Sequence, residues 1–400
     1  MKRSYSTLIL ALFVTALLTA CSSGGGGGTT QLSDSKAITQ FLFTNPIATG
    51  IINENTNSIT IMVAYGTDVT AMIATFSTTG ASVKVGTVIQ VSGTTPNNFT
   101  NPVTYTVTAA DGTTAVYTVT VVNSMTLASG LNGPYDIAVD STSVYWTDVG
   151  SRAVMKVSLA GGPTTTLASG LSEPQFIVVD STSVYWTDAG SGAVMKVALA
   201  GGPTTTLASG LSEPRGIAVD STSVYWTDEG SRAVMKVALA GGPTTTLASG
   251  LSEPWGIAVD STSVYWTDFG LGTVNKVALD GGTMTTLASG VNPYLLAVDS
   301  TNVYWTENIG GNVKKVNLNG GNVTTLTSGL RHPAGIAVDP TGVYWAESNS
   351  STVNTVSLNG GNVTILAAGQ SNPWGIAVDS TNVYWTESIS NIGTVKKAPK

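Results

Sequence analysis

The sequence predicts an all-β protein, a seven-bladed β-propeller over residues 124–400 preceded by a β-sandwich over residues 35–123. Three observations lead there. The motif V-Y-W-T-D, or a close variant, places Trp at positions 146, 186, 226, 266, 305, 345 and 385, spaced by 40, 40, 40, 39, 40 and 40 residues. A period of about 40 residues is that of one propeller blade. Charged residues make up only 10% of the chain, and Thr, Ser, Gly and Val fill the gap. That is the composition of short strands and tight turns. Beyond the N-terminus, no stretch keeps a helical apolar period.

Each repeat reads as four strands. Strand a is I-A-V-D at 217–220, strand b V-Y-W-T-D at 224–228, strand c V-M-K-V-A-L at 234–239 and strand d T-T-T-L-A-S at 244–249. Seven a-b-c sets occur, but the first d segment, 125–129, precedes them all and the last repeat ends without one. The N-terminal d segment is therefore expected to complete the last blade. A ring closed this way leaves no terminal edge strand. In strand b, Val224 and Trp226 point one way and Tyr225 the other. Blades pack on both faces, so all three are core residues. Their ring N–H and O–H groups call for partners when buried.

Before the repeats, alternating runs at 59–63, 82–85, 103–108 and 116–121 are separated by turn residues. The last two flank Asp111-Gly112, a hairpin turn. About six or seven such strands fit a two-sheet sandwich. The stretch T-Y-T-V-T-A-A-D-G-T resembles the immunoglobulin-like or cadherin-like sandwich domains of bacterial surface proteins, which implies a spacer or an adhesive module.

At the N-terminus, Lys2 and Arg3 precede an apolar run from Leu8 to Leu18. This is a secretory signal over 1–20, too short for a span of about 20 apolar residues. Leu18-Thr19-Ala20-Cys21 resembles the lipobox of bacterial lipoproteins. The resemblance implies cleavage before Cys21 and lipidation there, with stable anchoring by several acyl chains. Ser22, in place of Asp, points to the outer membrane of the cell envelope, periplasmic or surface-exposed. Residues 21–34 then form a Gly-rich tether, with five consecutive glycines at 24–28.

Cys21 and His332 are the one cysteine and the one histidine. An internal disulfide is excluded, and a zinc site or a Ser-His-Asp relay lacks its ligands. No metal or cofactor is expected. With 24 acidic and 17 basic residues, the net charge is −7 and no basic stripe exists to meet nucleic acid.

The combination P-x-G-I-A-V-D, V-Y-W-T-D and K-V-x-L-x-G-G is similar to the YWTD propeller of the low-density-lipoprotein receptor family. That resemblance covers 125–400 and implies structural roles for Trp146, Trp186, Trp226 and Trp266 and for Asp148, Asp188, Asp228 and Asp268. Glu307, Glu347 and Glu387 replace the Asp in the last three repeats. Family rings usually have six blades. The rhythm is also similar to seven-bladed bacterial streptogramin lyases, which use histidines and acidic groups with magnesium. His332 stands alone here, so a binding role is expected and an enzyme is not. The Asp ending each strand a (Asp140, Asp180, Asp220, Asp260, Asp299, Asp339, Asp379) reads as an Asx-turn residue. A calcium ring is the alternative.

The repeats differ mainly in two places, after the Pro that opens strand a and after strand b. Both connections lie on one face of a propeller. They would bring Tyr135, Phe176, Arg215, Trp255, Phe269, Tyr294 and Trp374 to one rim. Loops on a rigid scaffold host binding residues, and Trp, Tyr and Arg dominate binding hot spots. The rim is expected to bind a protein segment or a glycan.

Overall fold

The computed structural model describes residues 32–400, apart from Thr100 and residues 389–391. The expected signal segment over 1–20 and the expected lipidation site, Cys21, lie outside the described residues. No helix among the described residues is long and apolar enough to cross a membrane.

The N-terminal domain consists of β1 (Ile38–Thr44), β2 (Ile47–Asn53), β3 (Ser58–Ala64), β4 (Met72–Thr78), β5 (Ser82–Val85), β6 (Val88–Ile89), β7 (Pro96–Asn97), β8 (Val103–Thr108) and the first part of β9 (Thr114–Leu131). Period-two burial is plain in β8, where Val103, Tyr105 and Val107 face inward. Asp111-Gly112 turns β8 into β9, with Gly112 at φ 86. The expected immunoglobulin-like two-sheet sandwich is not what forms. The strands make one hydrogen-bonded path, β7-β4-β1-β2-β3-β9-β8-β5-β6, which curls around a shared core. In that core Phe41 meets Tyr105 edge-on at 5.3 Å and Phe43 meets Phe99 at 5.2 Å. The parallel pairing of β3 with β9 joins the two halves into one sheet. Strand alternation fixes which residues face inward but says nothing of which strands pair.

The rest of the chain is an all-β propeller. Its first blade is β10 (Pro134–Val139), β11 (Ser143–Asp148), β12 (Ala153–Ser158) and β13 (Thr165–Ser169), antiparallel in that order. Five further four-stranded blades follow at 174–209, 214–249, 254–289, 296–328 and 333–367. Six blades are thus self-contained sheets, not the seven expected. The strands of the last repeat, Pro373–Val378, Asn382–Glu387 and Gly393–Pro399, belong instead to a twelve-stranded sheet that continues into the N-terminal domain. The reason is β9. Its first half pairs with β3 and β8, and its second half pairs with the C-terminal strand, Lys397 opposite Met125 and Thr394 opposite Ser129. One unbroken 18-residue strand therefore serves both parts, with no linker between them. The inner strands follow one another around an axis, and Pro373–Val378 lies against β10.

The YWTD motif explains the packing between repeats. Every one of the seven Trp side chains is fully buried. Each shares a core cluster with the Tyr of the preceding repeat, as Trp186 does with Tyr145 and Trp146 with Tyr384. The expected partners for the indole N–H groups do not appear, because none of these seven donors meets a protein acceptor. The Thr reaches the next repeat's inner strand. Thr227 donates to the Trp255 carbonyl at 2.6 Å, Thr306 to Ala334 at 2.8 Å and Thr386 to Tyr135 at 2.8 Å. Toward the opposite face, the Lys of strand c donates to a carbonyl in the next repeat's turn. Lys156 reaches Leu199 at 2.6 Å, and Lys397 reaches Leu159 across the junction of first and last repeats at 2.6 Å.

The sixth blade departs from this scheme twice. Ala346 stands where the motif has Thr, and Thr355 stands where strand c has Lys. Lys400 works in the reverse direction, donating from the last repeat to the Asp339 carboxylate and lying 5.2 Å from the Tyr344 ring. Nothing compensates Ala346. Its Cβ is fully buried, and the motif's hydroxyl, which elsewhere reaches the next inner strand, is missing. Ala346→Thr is expected to stabilise the protein by about 1 kcal/mol, one net hydrogen bond. A urea midpoint equal to or below that of wild type would show that the pocket has closed over the missing hydroxyl.

Candidate functional site

Strand a starts on one face of the propeller, in six repeats at the Pro that follows the d-to-a connection and in the fifth at Leu296, three residues past Pro293. The residue after that Pro lies at the mouth of the axial channel. Tyr135, Trp255, Tyr294 and Trp374 occupy this level, and Phe176 sits one residue deeper. The five rings touch in a closed circuit. Tyr135 meets Phe176 at 5.5 Å, Phe176 meets Trp255 at 6.5 Å and Trp255 stacks on Tyr294 at 5.5 Å. Tyr294 then meets Trp374 at 6.0 Å, and Trp374 returns to Tyr135 at 5.7 Å. Phe176 is buried, and the other four keep part of their surface. The rim is therefore not a circle of separate loop tips but one aromatic plate across the channel mouth.

Arg215 belongs to this plate. Its guanidinium lies 4.7 Å from the Trp255 ring centroid, an attractive cation–π geometry. Its Nε donates to Glu229 at 2.7 Å and its Nη1 to the Gln175 side chain at 3.0 Å. Glu213 lies 3.6 Å away. The positive charge is thus neutralised on site. Burial raises the Tyr135 hydroxyl well above its usual range and pushes that of Tyr294 up to about 12, with Arg215 opposing both. Both phenols are neutral at physiological pH. Phe269 lies apart. Its backbone closes the b-to-c turn of the fourth blade, donating to Glu253 at 2.9 Å, and its ring makes none of the aromatic contacts of the plate.

Beneath the plate lies an axial cavity of about 170 Å³. Ile137, Ile177, Ile217, Ile257, Leu296, Ile336 and Ile376 line it, one from each inner strand. Glycines at 216, 256 and 335 let the inner strands approach closely. A Cβ at Gly216 would lie 2.5 Å from the Trp255 carbonyl oxygen. Where those repeats have Gly, the first has Asp136, the one charged residue of the lining. Its Oδ2 accepts the Ile177 N–H at 3.0 Å. Burial pushes its carboxyl up to about 7, against the pull of the Ile177 and Ile137 N–H groups. Sequence reading placed Asp136 among the variable residues without singling it out. The signal was available, a carboxylate standing at a position that is Gly in four of the seven repeats.

On the opposite face, the aspartates that end strand a behave as Asx-turn residues. Asp140 Oδ1 accepts the Thr142 and Ser143 N–H groups at 2.7 and 2.8 Å, and Oδ2 accepts the Tyr145 hydroxyl at 2.8 Å. Burial would raise these carboxyls, but the hydrogen bonds outweigh it and hold them below the usual range. Among the described residues no group of three or more His, Cys, Asp or Glu side chains could hold a metal ion. His332 is exposed at φ 55, with Nδ1 3.0 Å from the Asn308 side-chain oxygen, and does not line the cavity.

Known proteins match parts of the chain. Residues 38–121 match the family described as SGBP, N-terminal. Residues 183–221 and 301–340 match low-density lipoprotein receptor repeat class B, so the propeller carries YWTD repeats. No curated protein sequence matches the chain. Among solved structures, it is similar to a streptogramin B lyase at 14% identity and a TM-score of 0.61, covering 69% of this chain and 96% of that one. It is equally similar to virginiamycin B lyase from Staphylococcus aureus, at 15% identity and a TM-score of 0.61, covering 70% and 98%. The WD40 β-propeller domain of Doa1 follows at 14% identity and a TM-score of 0.60, covering 70% and 98%. At these identities the likeness is one of fold.

Proposed function

We propose that the protein is a binding protein of the bacterial envelope, held to the outer membrane through a lipidated Cys21, and that its aromatic plate takes a glycan. The observation that carries this reading is the closed circuit of five rings around Arg215. Apolar ring faces stack on the C–H faces of sugars, and Arg215, held between the Glu213 and Glu229 carboxylates, offers no free cation, which disfavours an acidic ligand. The strand shared by the two parts supports a further element of the reading. Strand β9 and the last three strands act as a seventh blade that closes the ring and holds the plate rigid. Rigid aromatic surface costs little entropy on binding. The role is binding rather than catalysis, because the plate is mainly apolar ring surface and its two phenols stay neutral at physiological pH.

A pull-down and glycan-array comparison tests the proposal. Wild type is set against a combined Arg215→Ala, Trp255→Ala, Trp374→Ala variant. Glycan capture is expected to fall at least tenfold, about 1.4 kcal/mol. Capture of sugars unchanged in a folded variant would remove the plate from the site. Capture of an extended protein segment with no sugar bound would replace the ligand class.

A further inference from the structure

We propose that the axial cavity beneath the plate is a second binding site, for a small organic cation such as a short-chain primary ammonium, with Asp136 as its counter-ion. The argument is independent of the plate's ligand. The cavity encloses about 170 Å³. An apolar cavity of about 150 Å³ accommodates a six-carbon ring, so the space suits roughly five or six non-hydrogen atoms. Its wall is built from isoleucine, leucine, phenylalanine and glycine residues with a single carboxylate set into it, and the surface it presents is mostly polar, which apart from Asp136 can only be backbone. No ion pair among the described residues involves Asp136. Even a partly buried carboxylate is costly without a counter-ion. Accordingly, burial raises the Asp136 carboxyl to about 7, while none of the other residues lining the cavity is titratable. A short-chain primary ammonium satisfies such a wall, its cationic head pairing with the carboxylate and donating to backbone carbonyls while its short chain fills the remaining volume.

Entry is from the face opposite the plate. The aromatic circuit lies across one mouth of the channel. At the other end the inner strands finish at Asp140, Asp180, Asp220, Asp260, Asp299, Asp339 and Asp379. Hydrogen bonds hold these carboxyls below the usual range, so they are ionised at neutral pH. The lysines of strand c, such as Lys156 and Lys397, donate to turn carbonyls on this same face and Lys400 pairs with Asp339, so the face carries charges of both signs.

The test is a titration of the full-length protein with n-butylammonium chloride, followed through the isoleucine methyl signals by NMR. n-Butanol serves as the uncharged probe of the same length. Saturable shifts of the channel isoleucines are expected with the ammonium, with n-butanol binding at least tenfold more weakly. Asp136→Asn should weaken ammonium binding at least tenfold while leaving the n-butanol response unchanged. Equal binding of the two probes by wild type overturns the proposal, and that comparison needs no variant to fold. So does an undiminished response in folded Asp136→Asn, or the absence of saturable channel shifts, which would mark a channel holding solvent alone.

Discussion

Leu127→Asp is expected to destabilise the protein by at least about 4 kcal/mol and to loosen the propeller as a whole. Leu127 is 5% exposed and lies in a core cluster with Leu131 of its own strand, Trp146 and Val157 of the first repeat and Tyr384 and Val395 of the last. Removing a buried Leu side chain costs about 2–5 kcal/mol, and placing a charge in the same space adds to that. The position matters beyond its own contacts. β9 is where the last repeat, the first repeat and the N-terminal sheet meet. Freed from β9, the strand Gly393–Pro399 exposes an unpaired edge, and the packing of Trp146 on Tyr384 opens. The measurement is a urea midpoint together with the radius of gyration from small-angle scattering. Thr126→Asp, one residue away but exposed, is the control and should stay within about 0.5 kcal/mol of wild type. Similar midpoints for the two variants would show that the ring does not depend on β9.

The second large effect concerns the fifth blade. In the first three blades the motif's Asp stands with a Met opposite the Trp, as Asp148 does with Met155. In the fifth blade Glu307 and Lys314 replace both, 2.9 Å apart, with Glu307 nearly buried and Lys314 20% exposed. The last repeat does the same with Glu387 and Lys396, also at 2.9 Å. Lys314→Met alone leaves Glu307 without its cation and is expected to cost about 3 kcal/mol. The double variant Glu307→Asp, Lys314→Met restores the pairing of the first blade and should recover most of that loss. Urea unfolding of the two variants decides it. A double variant no more stable than the single one would mean that the Glu–Lys exchange is not a unit.

The pair also gives a pH dependence. Burial alone would raise the Glu307 carboxyl, but the Lys314 and Asn312 hydrogen bonds and the Lys314 charge outweigh it and lower it. A carboxyl lower in the folded than in the unfolded state contributes stability that is complete above the unfolded value. The contribution fades as pH falls through the folded one. The wild type should therefore lose stability below about pH 4, and Lys314→Met should lose less over the same interval.

Much of this molecule is legible in the repeat. Period, strand order, the buried Trp and Tyr on opposite sides of strand b and the Asx-turns all follow from a local pattern used seven times. The out-of-phase d segment at 125–129 likewise announced its pairing with the chain's end. The rim residues were found because repeats that are otherwise nearly identical differ there. Their arrangement was not, since five side chains from five inner strands come into contact only when those strands surround one axis. Phe269 varies between repeats as the rim residues do, yet its ring makes none of their contacts.

By itself the sequence determined the all-β class, the blade unit and the faces of each strand, because alternation and turn chemistry act over a few residues. The tertiary structure alone decided that β9 joins two sheets into one, that the N-terminal strands curl into a single sheet, that the rim aromatics form a plate and that Asp136 lies, partly buried, beneath it. Each of these depends on segments far apart in the chain meeting in space, and a one-dimensional pattern does not record distances between segments that it does not order.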